Sequence, residues 1–233
     1  SFASLHPLQA ILFDIHGTLC DSDPLHYLAF RQMLQEVGFN DGVPITEDFF
    51  IDKIRGKHKD EICGILLPHW DIQRARNFFL DKEAMFRRLA TQQLEAVKGL
   101  HKLQKWVENR GLKAAVTNSP KPNSHLLISS LGLSDFFDIV VLAEECDRVK
   151  PFPDPYLKAL QAIDVSHKHA FVFKDSVPVI KAGMEAGMPA VGLGTRRLLT
   201  EAGAIFVIKD FEDPKLWTAL GELETAEETK ITS

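Results

Sequence analysis

Apolar and polar residues change their spacing along this chain in a way that marks out its elements. Ala10 to Phe13 is a continuous apolar run, the pattern of a short strand buried on both faces. After Pro24 the apolar positions Leu25, Leu28, Ala29, Met33, Leu34 and Val37 recur at three and four residues and stop at Gly38, which predicts a helix. Between His26 and about Glu95 no buried strand is evident, only helical segments with breaks around Asn40 to Pro44, Arg55-Gly56 and Pro68. From Gly99 onward strand and helix alternate. Helices are predicted over 101–109, 123–131, 155–163 and 179–186, and strands over 113–116, 139–142, 170–173, 190–193 and 204–208. Strands separated by helices of about ten residues imply right-handed crossovers and a parallel sheet. The predicted fold is therefore α/β: a doubly wound parallel sheet from residues 1–24 and 96–233, with a helical cap of residues 25–95 inserted after the first strand. The polar tail from Glu222 to Ser233 is expected to fray.

Composition narrows the class. The chain has 233 residues, 45% hydrophobic and 25% charged, enough for a sizeable core. Its net charge of −5 and the lack of a long Lys/Arg block argue against a nucleic-acid partner. Three cysteines, Cys20, Cys63 and Cys146, are widely spaced with no Cys-x-x-Cys pattern, which favours a reducing compartment over a disulfide framework or zinc site. No apolar run of about 18 residues and no signal-peptide pattern appear, so a cytoplasmic protein without a membrane partner is expected, as a monomer or weak dimer.

Candidate chemistry sits just after the strands. In a parallel sheet their carboxyl ends share one edge, where open α/β sheets keep their ligands. That edge would gather Asp14 and His16, then Thr117, Asn118 and Ser119, then Lys174 and Asp175, with Lys150 reaching it from the loop before the helix at 155–163. Alone, an Asp at a strand end commonly serves as a cap or turn residue. Together, however, Asp14-x-x-Gly17-Thr18, Thr117-Asn118, Lys150-Pro151 and Lys174-Asp175 resemble, in order and spacing, the motifs of the haloacid dehalogenase superfamily, in its phosphatase and phosphomutase branch with a helical cap. Within that branch the stretches Thr18 to Pro24, Gly56-Lys57-His58 and Asp213 to Trp217 are similar to plant sugar-phosphate phosphatases.

The resemblance implies a hydrolase acting on a small phosphorylated molecule. It implies Asp14 as the nucleophile that forms an aspartyl phosphate, Thr117 as a phosphate donor with the neighbouring N–H groups of Asn118 and Ser119, and Lys150 as the neutralising cation. It also implies Mg2+ held by Asp14, Asp175 and the carbonyl of residue 16. His26 and the basic loop with Arg55 and Lys57 are the candidates for contact with the rest of the substrate. Cys20 and the phenylalanines 49, 50, 78, 79 and 86 read as packing residues.

Two positions depart from that pattern. The relatives carry a second Asp two residues after the nucleophile as acid and base; here it is His16. They carry an acidic residue before the metal-binding Asp; here it is Lys174. Val179 also replaces a usual Gly, with Pro178 before it. Two aspartates against two lysines leave the site near neutral without any ion. An ammonium beside the metal position would repel Mg2+ by a few kcal/mol at an effective dielectric of about 20. Weak or absent Mg2+ binding is therefore expected, and no cofactor at all is one outcome. Three roles are open to His16, whose type titrates near pH 6.5. It is the acid/base of a slowed phosphatase, part of a repurposed metal-independent site in which Asp14 is base or ester-forming nucleophile, or inert in a protein that only binds a ligand or partner.

Overall fold

The computed structural model describes residues 2–194 and 197–233. Two compact units are present, one made of Ser1–Asp21 with Ala96–Ser233 and the other of Ser22–Glu95.

The first unit is built on a six-stranded sheet. Its strands are β1 (Ala10–Phe13), β2 (Leu112–Thr117), β3 (Ile139–Leu142), β4 (Ala170–Lys174), β5 (Ala190–Leu193) and β6 (Phe206–Ile208). Their order is β3-β2-β1-β4-β5-β6 and every pairing is parallel. This is the doubly wound α/β arrangement that the alternation of strands and helices predicts, with the order reversing beside β1. The four residues of β1 are all buried, as a strand between two neighbours and two covered faces must be.

Side chains two apart on a strand share a face. On one face Ala10, Leu12, Ala114, Val116, Ala170 and Val172 pack against Tyr156, Ala159 and Leu160 of the helix Asp154–Ile163 and against Ile180 and Ala182 of the helix Val177–Glu185. The other face is aromatic: Phe13 and Phe173 stack with centroids 5.4 Å apart, and Phe171 and Phe211 meet Phe173 edge-on.

Three local expectations change. The helix expected from 123 starts at Lys121, because Pro120 and Pro122 fit a helical first turn, where no N–H is needed. The strand expected over 204–208 is only Phe206–Ile208. A short helix, Arg197–Glu201, precedes it, and the Ala204 N–H donates to the Leu199 carbonyl instead of entering the ladder. The tail expected to fray is helical from Pro214 to Thr232, anchored by buried Leu216, Ala219, Leu220 and Leu223 at helical spacing and capped by the Asp213 carboxylate, which accepts from the Lys215 N–H at 3.0 Å. Counting polar residues misses this, because one apolar stripe suffices to hold a helix.

The second unit is helical, with helices Asp23–Glu36, Glu47–Lys53, Lys59–Leu66 and Ile72–Gln93. Phe30, Leu34, Phe50, Ile54, Ile62, Phe78 and Phe79 form its core. The carboxylate of Asp71 starts the longest helix by accepting the Arg74 N–H at 2.9 Å. No described helix is long and apolar enough to cross a membrane.

Candidate active site

The sheet register determines which polar side chains meet. Phe13 is level with Ala115 on β2 and with Phe173 on β4, so the next residues, Asp14 and Lys174, stand side by side at the carboxyl edge. Asp14 continues the series Ala10, Leu12; Lys174 continues Ala170, Val172. By the two-residue alternation both leave the sheet toward the face covered by the Tyr156 helix.

Asp14 is 8% exposed. Its Oδ1 accepts the Ile15 N–H at 2.9 Å and the Lys150 ammonium at 3.2 Å, and Lys150 donates again to the Val116 carbonyl at 2.8 Å. Both donors address one oxygen, so Oδ2 is left to meet a ligand. Burial acts to raise the Asp14 pKa. The charges of Lys150 and Lys174, the Lys150 hydrogen bond and His16 outweigh it, and the carboxyl is held below its ordinary value.

Lys174 is wholly buried, and its Nζ has no hydrogen-bond partner. The amine lies 4.1 Å from the centroid of the Tyr156 ring, and the Lys150 ammonium lies 5.3 Å from the same ring. Burial, then the nearby Lys150 charge, pulls the Lys174 pKa well below the usual lysine value, while Asp14 and Asp175 pull it back up. Asp175 is half-buried against the loop that follows β1: a Cβ at Gly17 would fall 1.9 Å from Asp175 Oδ2. Gly17 also has φ +72°, so this turn excludes a side chain on two counts.

His16 and Ser119 are joined across the same edge, Nε2 to Oγ, at 2.5 Å. Thr117 is buried at the end of β2 and its hydroxyl accepts the Ser119 N–H at 3.0 Å; Asn118 is exposed. Cys20 lies under this loop with Sγ 3.8 Å from the Ile15 carbonyl. Burial and then the charges of Asp14, Asp21 and Asp175 push its thiol up to about 12, which makes it a packing group and no nucleophile. The first unit thus brings together Asp14, His16, Thr117, Ser119, Lys150, Lys174 and Asp175.

The remaining candidates lie in the helical unit, each engaged within it. His26 is stacked on Phe86 with centroids 3.9 Å apart and its Nδ1 is 2.8 Å from Lys82 Nζ. Arg55 pairs with Asp23 at 2.8 Å, and Lys57 donates to the Asp52 carbonyl at 2.7 Å.

Sequence reading overlooked three residues. Nothing in the sequence singles out Tyr156. Gly17 looked like a turn residue only. Lys82, 3% exposed, occupies an apolar helix stripe between Phe78 and Phe86, and a charged residue on such a stripe was the available signal.

Mg2+ takes six hard oxygen ligands in near-octahedral geometry. The donor set here does not fit it. Asp14 keeps only Oδ2 for a ligand, its Oδ1 being taken by Ile15 and Lys150, and the residue preceding Asp175 is a buried lysine, which supplies no oxygen. Among the described residues no group of three or more His, Cys, Asp or Glu side chains is placed to hold a metal.

The family described as "Haloacid dehalogenase-like hydrolase" matches residues 11–193. The phosphorylated carbohydrates phosphatase of Thermotoga maritima is 27% identical over 212 residues, covering 88% of this chain and 96% of that protein. The fructose-1-phosphate phosphatase YqaB of Escherichia coli is 27% identical over 192 residues, covering 78% of this chain and 94% of its own length. Among solved structures, CbbY from Rhodobacter sphaeroides in complex with phosphate superposes with a TM-score of 0.76 at 23% identity, covering 88% of this chain and 95% of that one.

Proposed function

The chain belongs to the haloacid dehalogenase-like hydrolase family, and from that premise we propose that it hydrolyses small phosphomonoesters, of the sugar-phosphate class, through Asp14. The observation that carries this reading is the position of the Asp14 carboxylate at the carboxyl edge of β1, ionised by its lysine neighbours and with Oδ2 open to a ligand. The named relatives that act on phosphorylated sugars support the substrate class.

In this mechanism Asp14 Oδ2 attacks phosphorus, the phosphorus–oxygen ester bond breaks, and the leaving alkoxide takes a proton from His16. A water then attacks the aspartyl phosphate, His16 accepts the water's proton, and the phosphorus–Oδ2 bond breaks to free phosphate and Asp14. A histidine near neutral pH can serve in both directions. The Thr117 hydroxyl, whose oxygen accepts the Ser119 N–H, keeps its own proton to donate to a phosphate oxygen. Lys150 keeps Asp14 ionised and in place. His16 differs from the relatives' aspartate in charge and reach, so turnover is expected to be slower than theirs.

The test is phosphate release from a panel of sugar phosphates, with mass spectrometry of the Asp14 peptide to trap its phosphorylated form. Asp14→Asn should abolish release, and His16→Ala should slow it by about 10²- to 10⁴-fold, the span of general acid–base effects. Equal turnover in Asp14→Asn would refute the covalent role.

A further inference from the structure

The carboxyl edge of the sheet carries an unusual object: a lysine with no exposed surface and no hydrogen-bond partner, one residue before an acidic side chain and on the strand next to Asp14. Such an amine is costly to bury. Its surroundings show what offsets that cost. The Tyr156 ring faces it at 4.1 Å, and the Asp14 and Asp175 charges both favour its charged form. The Asp175 carboxylate is packed onto Gly17, in the loop that begins with Asp14, so the two acids converge on one region.

We propose that Lys174 keeps Mg2+ out of this site: a buried amine on the strand beside Asp14, one residue before Asp175, takes the place of an oxygen ligand, so the site takes a phosphate group without the ion. This rests on the phosphate-site reading above and specifies its cofactor requirement. Either protonation state of Lys174 disfavours the ion. A charged amine repels the ion, and a neutral one offers nitrogen where Mg2+ demands oxygen.

Lys174→Glu supplies an oxygen ligand and Lys174→Met removes the amine at similar volume, which guards against failure of the buried glutamate to fold. Each is compared with the natural protein by Mn2+ uptake, read from the free-ion electron paramagnetic resonance signal, and by the thermal shift on adding Mg2+. The natural protein should leave the free-ion signal unchanged and show no Mg2+ shift. Lys174→Glu should bind one Mn2+ at least about tenfold more tightly and become Mg2+-stabilised, with Lys174→Met between the two. One-to-one binding by the natural protein as tight as that of Lys174→Glu would overturn the proposal, as would folded Lys174→Glu and Lys174→Met that take up no more metal than the natural protein. These outcomes do not depend on turnover: absence of phosphate release with the metal pattern as expected would remove the hydrolase reading and leave Lys174 in its role.

Discussion

Replacing Lys150 by methionine tests the electrostatics of the site most directly. The side chain of Lys150 is 1% exposed and its amine bridges Asp14 Oδ1 at 3.2 Å and the Val116 carbonyl at 2.8 Å. Methionine keeps most of the volume but leaves a buried carboxylate without its partner, a change that costs about 3–5 kcal/mol. Lys174 still faces Asp14, so the lower part of that range is expected, equivalent to a fall in Tm of roughly 10 °C for a chain of this size. The pH dependence is the sharper readout. In the natural protein the Asp14 pKa is held below its unfolded value, so its stabilising contribution is complete above the unfolded pKa and is lost as pH falls through the folded one. Without Lys150 two of the four influences that lower this carboxyl are gone while burial, the largest single influence, remains, so the folded pKa is expected to rise above the unfolded value. The folded variant then takes up a proton that the unfolded chain does not. Urea unfolding should therefore show a larger stability gap between natural protein and Lys150→Met at pH 7 than at pH 5. A gap under about 1 kcal/mol at pH 7, or one equal at both pH values, would refute this account of the pair.

Gly17→Ala should cost about 1–2 kcal/mol for the left-handed backbone and displace the Asp175 carboxylate, so binding of inorganic phosphate, followed by thermal shift, should weaken along with stability; unchanged binding would show that Asp175 does not depend on the turn. Thr117→Val keeps the shape and removes the hydroxyl that accepts the Ser119 N–H; about 1 kcal/mol of stability and most of the phosphate-induced shift should go together. The Cys20 thiol, pushed up to about 12, should resist alkylation at pH 8 in the folded protein and react only on unfolding, whereas the half-buried Cys63 and Cys146 should react first; peptide mapping after brief iodoacetamide treatment distinguishes them.

Much of this molecule is legible from local pattern. Four-residue apolar runs mark β1, β3 and β5 residue for residue, and the polar groups just beyond β1, β2 and β4 are the ones the edge collects. What escaped depends on tertiary placement. Nothing in the stretch Ala170 to Asp175 says that Lys174 is the last residue of the strand and not the first of the loop; that single step turns its side chain onto the Tyr156 face and out of water. Tyr156 itself sits at a position that any amphipathic helix would fill with an aromatic residue. The closing helix was hidden for the opposite reason, since its many polar residues mask the stripe of Leu216, Leu220 and Leu223.

The central place of β1 and β4 has a consequence for how the protein can fail. Each is flanked by a strand on both sides and is sealed by apolar side chains above and below. Backbone amides in such strands become accessible to deuterium only when the whole unit opens. The strands that carry Asp14 and Lys174 therefore have no private fluctuation of their own, and heating that disturbs them has already begun to open the rest of that unit.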